Sequence, residues 1–139
     1  MSRKEVFGQY SKVLRCATQA SRAAGRLMRQ HRLEEKEVRE ASRYDIRLAL
    51  DIRCQKVIER ILRRAFANIP ILGEEGVVGD QRAAQRWVVD PIDGTVNFTY
   101  GIPHCCVSIA LQQLAASPGP ATYEDGNETL LGEIGRAHV

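Results

Sequence analysis

WVVDPIDGTVNFTY, residues 87–100, runs from an apolar strand directly into two aspartates and then a Gly-Thr turn. Trp87, Val88 and Val89 have the character of a buried strand. Asp90-Pro91-Ile92-Asp93 is then expected to leave the sheet with its carboxylates at the carboxyl end, where open sheets collect their ligands. No lysine or arginine lies between Arg86 and Arg136, so no neighbour in sequence balances Asp90 and Asp93. Two close carboxylates resist joint ionisation, and a divalent cation relieves the conflict. The backbone carbonyl of Ile92 offers a further hard oxygen, a donor set that suits Mg²⁺ better than a soft metal. Gly94-Thr95 opens a helix start whose amides and hydroxyl can hold a phosphate. Taken singly, Asp-Pro and Asp-Gly are ordinary turn dipeptides and Thr95 an ordinary N-cap. Their succession behind one strand is what points to a metal-phosphate site.

A second strand-like run, IPILGEEG at 69–76, ends at Gly73 and presents Glu74 and Glu75. Side chains alternate along an extended segment, so one of the two glutamates is expected to face a given site. A solvated acidic turn would account for the pair alone. Two strands that both end in acidic residues fit better as adjacent parallel strands converging on one metal cluster. Asp51 precedes the periodic run Cys54, Val57, Ile58, Ile61, Leu62, Ala65, Phe66, and is as plausible an N-cap as a catalytic base.

GEEG at 73–76, WVVDPIDGTVNF at 87–98 and GIPHCCVSIAL at 101–111 together closely resemble the inositol monophosphatase family of Mg²⁺-dependent, lithium-sensitive sugar phosphatases, over about residues 6–132. The order and spacing of Asp51, Glu74, Asp90 and Asp93 agree with that resemblance. It implies an α+β layered sandwich, incomplete here, and two or three Mg²⁺ ions. Glu74 resembles the family glutamate that binds the first metal and helps hold the attacking water. Asp90 resembles the bridging aspartate, the Ile92 carbonyl a first-metal ligand, and Asp93 a second-metal ligand that also meets the substrate. Thr95 with Asp51 is similar to the couple that positions or deprotonates the water, and Gly94 with Thr95 to the segment that holds the phosphate. The implied partner is a small phosphorylated polyol or sugar, with inositol monophosphate first and fructose bisphosphate or a nucleotide phosphate as alternatives, and a homodimer is implied at full length. A non-catalytic metal-binding remnant is the reading from another class. Departures occur at Asp45-Ile46-Arg47-Leu48-Ala49-Leu50-Asp51: the family's threonine within this segment is missing, and Glu40 stands where many members carry a lysine. The third ion and the substrate are therefore left open.

With 139 residues and 44% hydrophobic content, the chain can bury one modest core. By resemblance, the family's catalytic unit is about twice as long and completes its second metal site with a Trp-Asp pair. Trp87 is the only tryptophan here and Val88 follows it, so residues 1–132 are expected to be the amino-terminal part of such a domain. Glu133–Val139 matches a short-read sequencing adapter translated in one frame and is expected to be a non-native tail. Residues 1–68 hold 17 Lys+Arg against 8 Asp+Glu, and the remainder 3 against 9. The basic half has little aromatic interleaving, so solvated helix faces are expected rather than nucleic-acid binding. Arg39, Arg43 or Arg47 could lean toward a phosphorylated substrate. Cys16, Cys54, Cys105 and Cys106 lack C-x-x-C spacing, which predicts reduced, mostly buried thiols in a cytoplasmic protein. His104 is expected to be a strand-end residue. No run approaches the ~18 apolar residues a membrane span needs, and no signal peptide is expected.

Apolar residues from Val6 to His31 recur at helical spacing and predict a helix over 5–32. A turn near Tyr44 and a second helix over 51–67, stopping before Pro70, follow. Strands are expected at 70–73, 86–90, 104–112 and about 128–132, with 77–85 and 115–127 as loops and a turn at Ser117-Pro118-Gly119-Pro120. The expected architecture is two helices packed on a sheet of mixed direction.

Overall fold

The computed structural model describes residues 3–34 and 40–136, with the side chains of the first few residues, of 33–46 and of the extreme carboxyl end outside that description. Helix α1 spans Arg3–Glu34 and α2 Glu40–Ala65. Along α1, Val13, Cys16, Ala17, Ala20, Ala24 and Met28 are buried, a three-and-four spacing that forms one apolar stripe. The small residues in that stripe let α2 approach, which presents Leu50, Cys54, Ile58 and Leu62, all essentially inaccessible. Five strands follow: β1 Ile71–Gly73, β2 Gly76–Val78, β3 Gln85–Asp93, β4 Cys106–Leu114 and β5 Asn127–Arg136, with a short helix α3, Thr95–Thr99, after β3. They form one sheet in the order β2-β1-β3-β4-β5, in which β1 and β3 run parallel and every other pair antiparallel. Both long helices lie against the sheet, α1 over β4 and β5 and α2 over β3. Trp87 is fully buried at the centre, its ring 5.8 Å from that of Phe66 at the end of α2. The molecule is thus an α+β layered arrangement with a mixed sheet, as the sequence implied.

Several expectations are corrected. Asp51 is no N-cap: α2 starts at Glu40 and carries Asp51 in its interior, and the turn near Tyr44 does not exist. Residues 40–50 contain neither glycine nor proline and are rich in Arg, Leu and Ala, good helix formers that carry the helix straight through. Residues 77 and 78, expected as loop, belong to β2, which returns antiparallel on β1 with Gly73 opposite Gly76. Asp90-Pro91-Ile92-Asp93 stays in the sheet, with a register irregularity between Asp90 and Asp93. Pro91 and Ile92 are both buried there, which gives the segment a reason to stay. Strand β5, expected at about 128–132, runs from Asn127 to Arg136. Gly135 packs so closely there that a Cβ would lie 2.7 Å from Ser21 Cβ. Among the described residues no helix is long and apolar enough to cross a membrane.

Candidate metal and phosphate site

Parallel pairing of β1 with β3 sets the site. Gly73 lies opposite Val89, and the Glu74 amide extends the ladder by donating to the Val89 carbonyl at 3.1 Å. Glu74 therefore emerges beside Asp90, the next residue of β3. Asp90 is pushed up from the ordinary carboxylate range, to about 7. Burial is the main cause, followed by the charge and hydrogen bond of Glu74 and the charge of Asp93. The Ile92 amide, donating to Asp90 Oδ1 at 3.1 Å, pulls the other way.

Glu74 and Glu75 are the two central residues of the β1–β2 hairpin, so the alternation expected of an extended pair does not hold. Both charges reach Asp51. A buried side chain that sequence reasoning passed over, Gln55, holds this turn. Its Oε1 accepts from the Glu75 amide at 2.8 Å and its Nε2 donates to the Gly76 carbonyl at 3.1 Å. A Cβ on Gly73 would come within 2.4 Å of the same Gln55 amide. The available signal was a glutamine one helical turn after Asp51, on the buried side of an otherwise apolar run.

Asp51 reaches the group from α2. It is buried, and its Oδ1 has no hydrogen-bond partner. Its carboxyl is pushed up to about 7, by burial first and then by Glu75, Glu74 and Asp90, while Arg47 lowers it. Arg47, one turn earlier on α2, thus supplies the cation that the strand's own neighbourhood lacks. Its guanidinium also donates to the Thr99 hydroxyl, and Thr99 in turn donates to the Thr95 carbonyl at 2.8 Å. Arg39 and Arg43 lie outside the residues whose side chains are described.

The turn into α3 is made by Gly94, in the left-handed region at φ 86°. A Cβ there would also lie 2.8 Å from the His104 carbonyl, so only glycine fits. Gly94 is the N-cap residue and no side chain caps the helix, so Thr95 is the first helical residue rather than an ordinary N-cap. The Thr95 hydroxyl donates to the Ile92 carbonyl at 2.9 Å, leaving that carbonyl one lone pair. Thr95 and Asp51 share no hydrogen bond among those described. Asp93 is exposed and accepts from the Cys106 thiol at 3.7 Å. Beyond it lies a hollow of about 370 Å³ lined by Asp93, Gly94, Asn97, His104 and Cys106.

Among the described residues no three Asp, Glu, His or Cys side chains are drawn together closely enough to enclose an ion. The donor set still fits a hard divalent cation: the orphaned buried carboxylate oxygen on Asp51 and the like charges that raise Asp51 and Asp90 are both features that such a charge would relieve. None of the four thiols is in a disulfide, and Cys16, Cys54 and Cys105 are buried.

Comparison with known proteins identifies relatives of this chain. The model of the inositol monophosphatase family matches residues 9–117. The Nus factor SuhB of Xylella fastidiosa is 45% identical over 95 residues, which cover 66% of this chain and 34% of that protein. The fructose-1,6-bisphosphatase/inositol-1-monophosphatase of Thermotoga maritima is 34% identical over 96 residues, 66% of this chain and 35% of that one. Among solved structures, inositol monophosphatase from Anabaena superposes with a TM-score of 0.59 at 32% identity, covering 74% of this chain and 36% of that one. The chain spans about a third of the length of these relatives. It belongs to the inositol monophosphatase family.

Proposed function

We propose that this chain, a member of the inositol monophosphatase family, carries the metal-and-phosphate part of a Mg²⁺-dependent phosphomonoesterase acting on inositol monophosphate or a related sugar phosphate. The observation that carries the reading is the gathering of Asp51, Glu74, Asp90 and Asp93 at the carboxyl ends of β1 and β3, close enough for each to raise the pKa of a neighbour. Glu74, Asp90, Asp93 and the Ile92 carbonyl are the residues that would hold Mg²⁺. Glu74 and Asp93 are exposed, so their side chains are free to turn onto an ion. Bound there, two ions supply Lewis acidity toward the phosphate oxygens and a lowered pKa for bound water.

The chain's own residues do the rest. Gly94 turns the first amides of α3 outward, where they meet a phosphate, and the Thr95 hydroxyl positions the attacking water. Asp51, with an unpartnered buried oxygen, takes the water's proton. Phosphoryl transfer to water needs no covalent enzyme intermediate, since positioning and charge stabilisation suffice. The hollow beside Asp93 receives the alcohol.

Calorimetry tests the metal assignment: Asp90→Asn should weaken Mg²⁺ binding more than any other single change, because Asp90 would serve both ions. Equal affinity in the variant would sink it. Residues 1–132 are proposed as the amino-terminal part of the family domain, and a ligand of the second ion is expected from outside this chain. The 139 residues alone should then release no phosphate from inositol monophosphate above a buffer control. Turnover abolished by Asp93→Asn would show instead that the ligand set is complete here. Fructose bisphosphate is the second substrate to compare, because the Thermotoga maritima relative carries both activities in its name. The ratio of kcat/KM for the two substrates, measured on a form that turns over, decides between them.

A further inference from the structure

We infer that the groove between α1 and α2 binds a compact anion carrying several phosphate charges. The groove has a volume of about 590 Å³ and lies between Lys12 and Arg15 of α1 and Arg60 and Arg64 of α2. All four cations are exposed, and its apolar floor includes buried Cys16 and half-buried Ile61. None of the four forms an ion pair with a carboxylate among the described residues. Lys12 instead lies over the Phe66 ring, 5.5 Å from its centroid.

Two flanking hollows decide between a compact ligand and an extended one. The first shares Arg60 and Arg64 and adds Lys56 and Arg63; its only acid, Glu59, accepts from Gln55. The second shares Arg15 and Gln19 and adds Arg22 and Arg26. Each is lined essentially from a single helix, as an ordinary solvated face would be. Only the central groove has cations from two helices facing one another over an apolar floor. Convergent charge above a surface that sheds water strengthens each contact with an anion. The groove lacks an open aromatic platform for bases, since Phe66 is occupied by Trp87 and Lys12, and this disfavours a nucleic-acid strand. Asp51 and Arg60 are nine residues apart on one helix, about 14 Å by the α-helical rise, so this place is separate from the carboxylate cluster.

Calorimetry of the full chain with inorganic tripolyphosphate at physiological ionic strength tests the inference. Saturable one-to-one binding is expected, and the Arg60→Gln/Arg64→Gln double variant should weaken it by about tenfold or more. Arg22→Gln/Arg26→Gln, which removes the same charge from a flank, should leave affinity within about twofold, because distant exposed charges are screened over ~8 Å. Asp90→Asn should leave it unchanged, which separates this outcome from failure of the phosphatase reading. Arginine-to-glutamine changes on exposed helix positions preserve helix propensity, and a circular dichroism melt verifies the fold of both variants. Equal weakening in the two double variants, no saturable binding, or preferential binding of a long polythymidine strand would each overturn the proposal.

Discussion

The carboxylate end of β1 and β3 and the outer face of α1 and α2 both concentrate charge of one sign, yet they behave as opposites. On the helices the cations stand in water on long stems, where one more like charge costs little. At the strand ends Asp51 and Asp90 are wholly or partly buried with other carboxylates nearby, so both are forced upward in pKa. The same formal excess is thus tolerable on one surface and strained in the other. Strain of that kind marks the place where a cation belongs.

The sharpest way to break this contrast is to change the turn chemistry beside the carboxylates. In a form of the protein that hydrolyses substrate, Thr95→Ala should lower kcat by about 10² to 10⁴, the usual range for lost general acid-base help, with Mg²⁺ affinity largely intact. Near-normal turnover would reduce Thr95 and Asp51 to structural residues. Next in size is Gly94→Ala. Left-handed backbone penalises an L side chain by about 1–2 kcal/mol, and the 2.8 Å approach to the His104 carbonyl adds to it. Gly126→Ala, at φ 80° but with only Leu114 at 3.8 Å, should carry the backbone penalty alone. Urea unfolding of the two variants measures the difference; equal losses would mean that the turn before α3 is loosely packed.

A third prediction turns on pH. A carboxyl whose folded pKa lies above its unfolded value contributes stability that is complete below the unfolded pKa and is lost as pH rises through the folded one. For Asp51 that window runs from about 4 to about 7, and Asp90 shifts in the same direction. The metal-free chain should therefore melt at a lower temperature at pH 8 than at pH 5.5. Mg²⁺ should reverse the loss and Asp51→Asn flatten the slope. A Tm that rises over that interval would contradict the crowding of these carboxylates. The smallest effect is expected on the opposite surface, where Arg22→Gln/Arg26→Gln should change stability by no more than about 0.5 kcal/mol. A larger loss would mean that the basic face holds the helices together rather than merely coating them.

Trp87-Val88-Val89 was legible as a strand and the Val13-to-Met28 stripe as a helix, because both signals are local periodicities that survive without knowledge of partners. So was the order of acidic residues. Less legible was Asp51, since an aspartate ahead of an apolar run looks the same whether it caps a helix or sits inside one. Only the good helix formers at 47–50 marked the difference. Strand β2 was hidden for another reason: two valines between Gly76 and Gly79 carry no pattern, and the strand's pairing is supplied by β1 and by Gln55 across 20 residues of sequence.

The sequence by itself determined the acidic and glycine chemistry at 73–76 and 90–95, the family resemblance it carries, and the basic bias of the helices. Residue types and short spacings are sufficient for that, since a tight turn or a hard-oxygen donor set is written within a few positions. Tertiary structure alone decided that Glu74 stands beside Asp90, that Glu74 and Glu75 reach Asp51, that Arg47 meets Thr99, and that Lys12 and Arg15 face Arg60 and Arg64. Each of these joins elements separated along the chain, and which side chains meet there depends on parallel strand register and helix packing, quantities that no local pattern of residues contains.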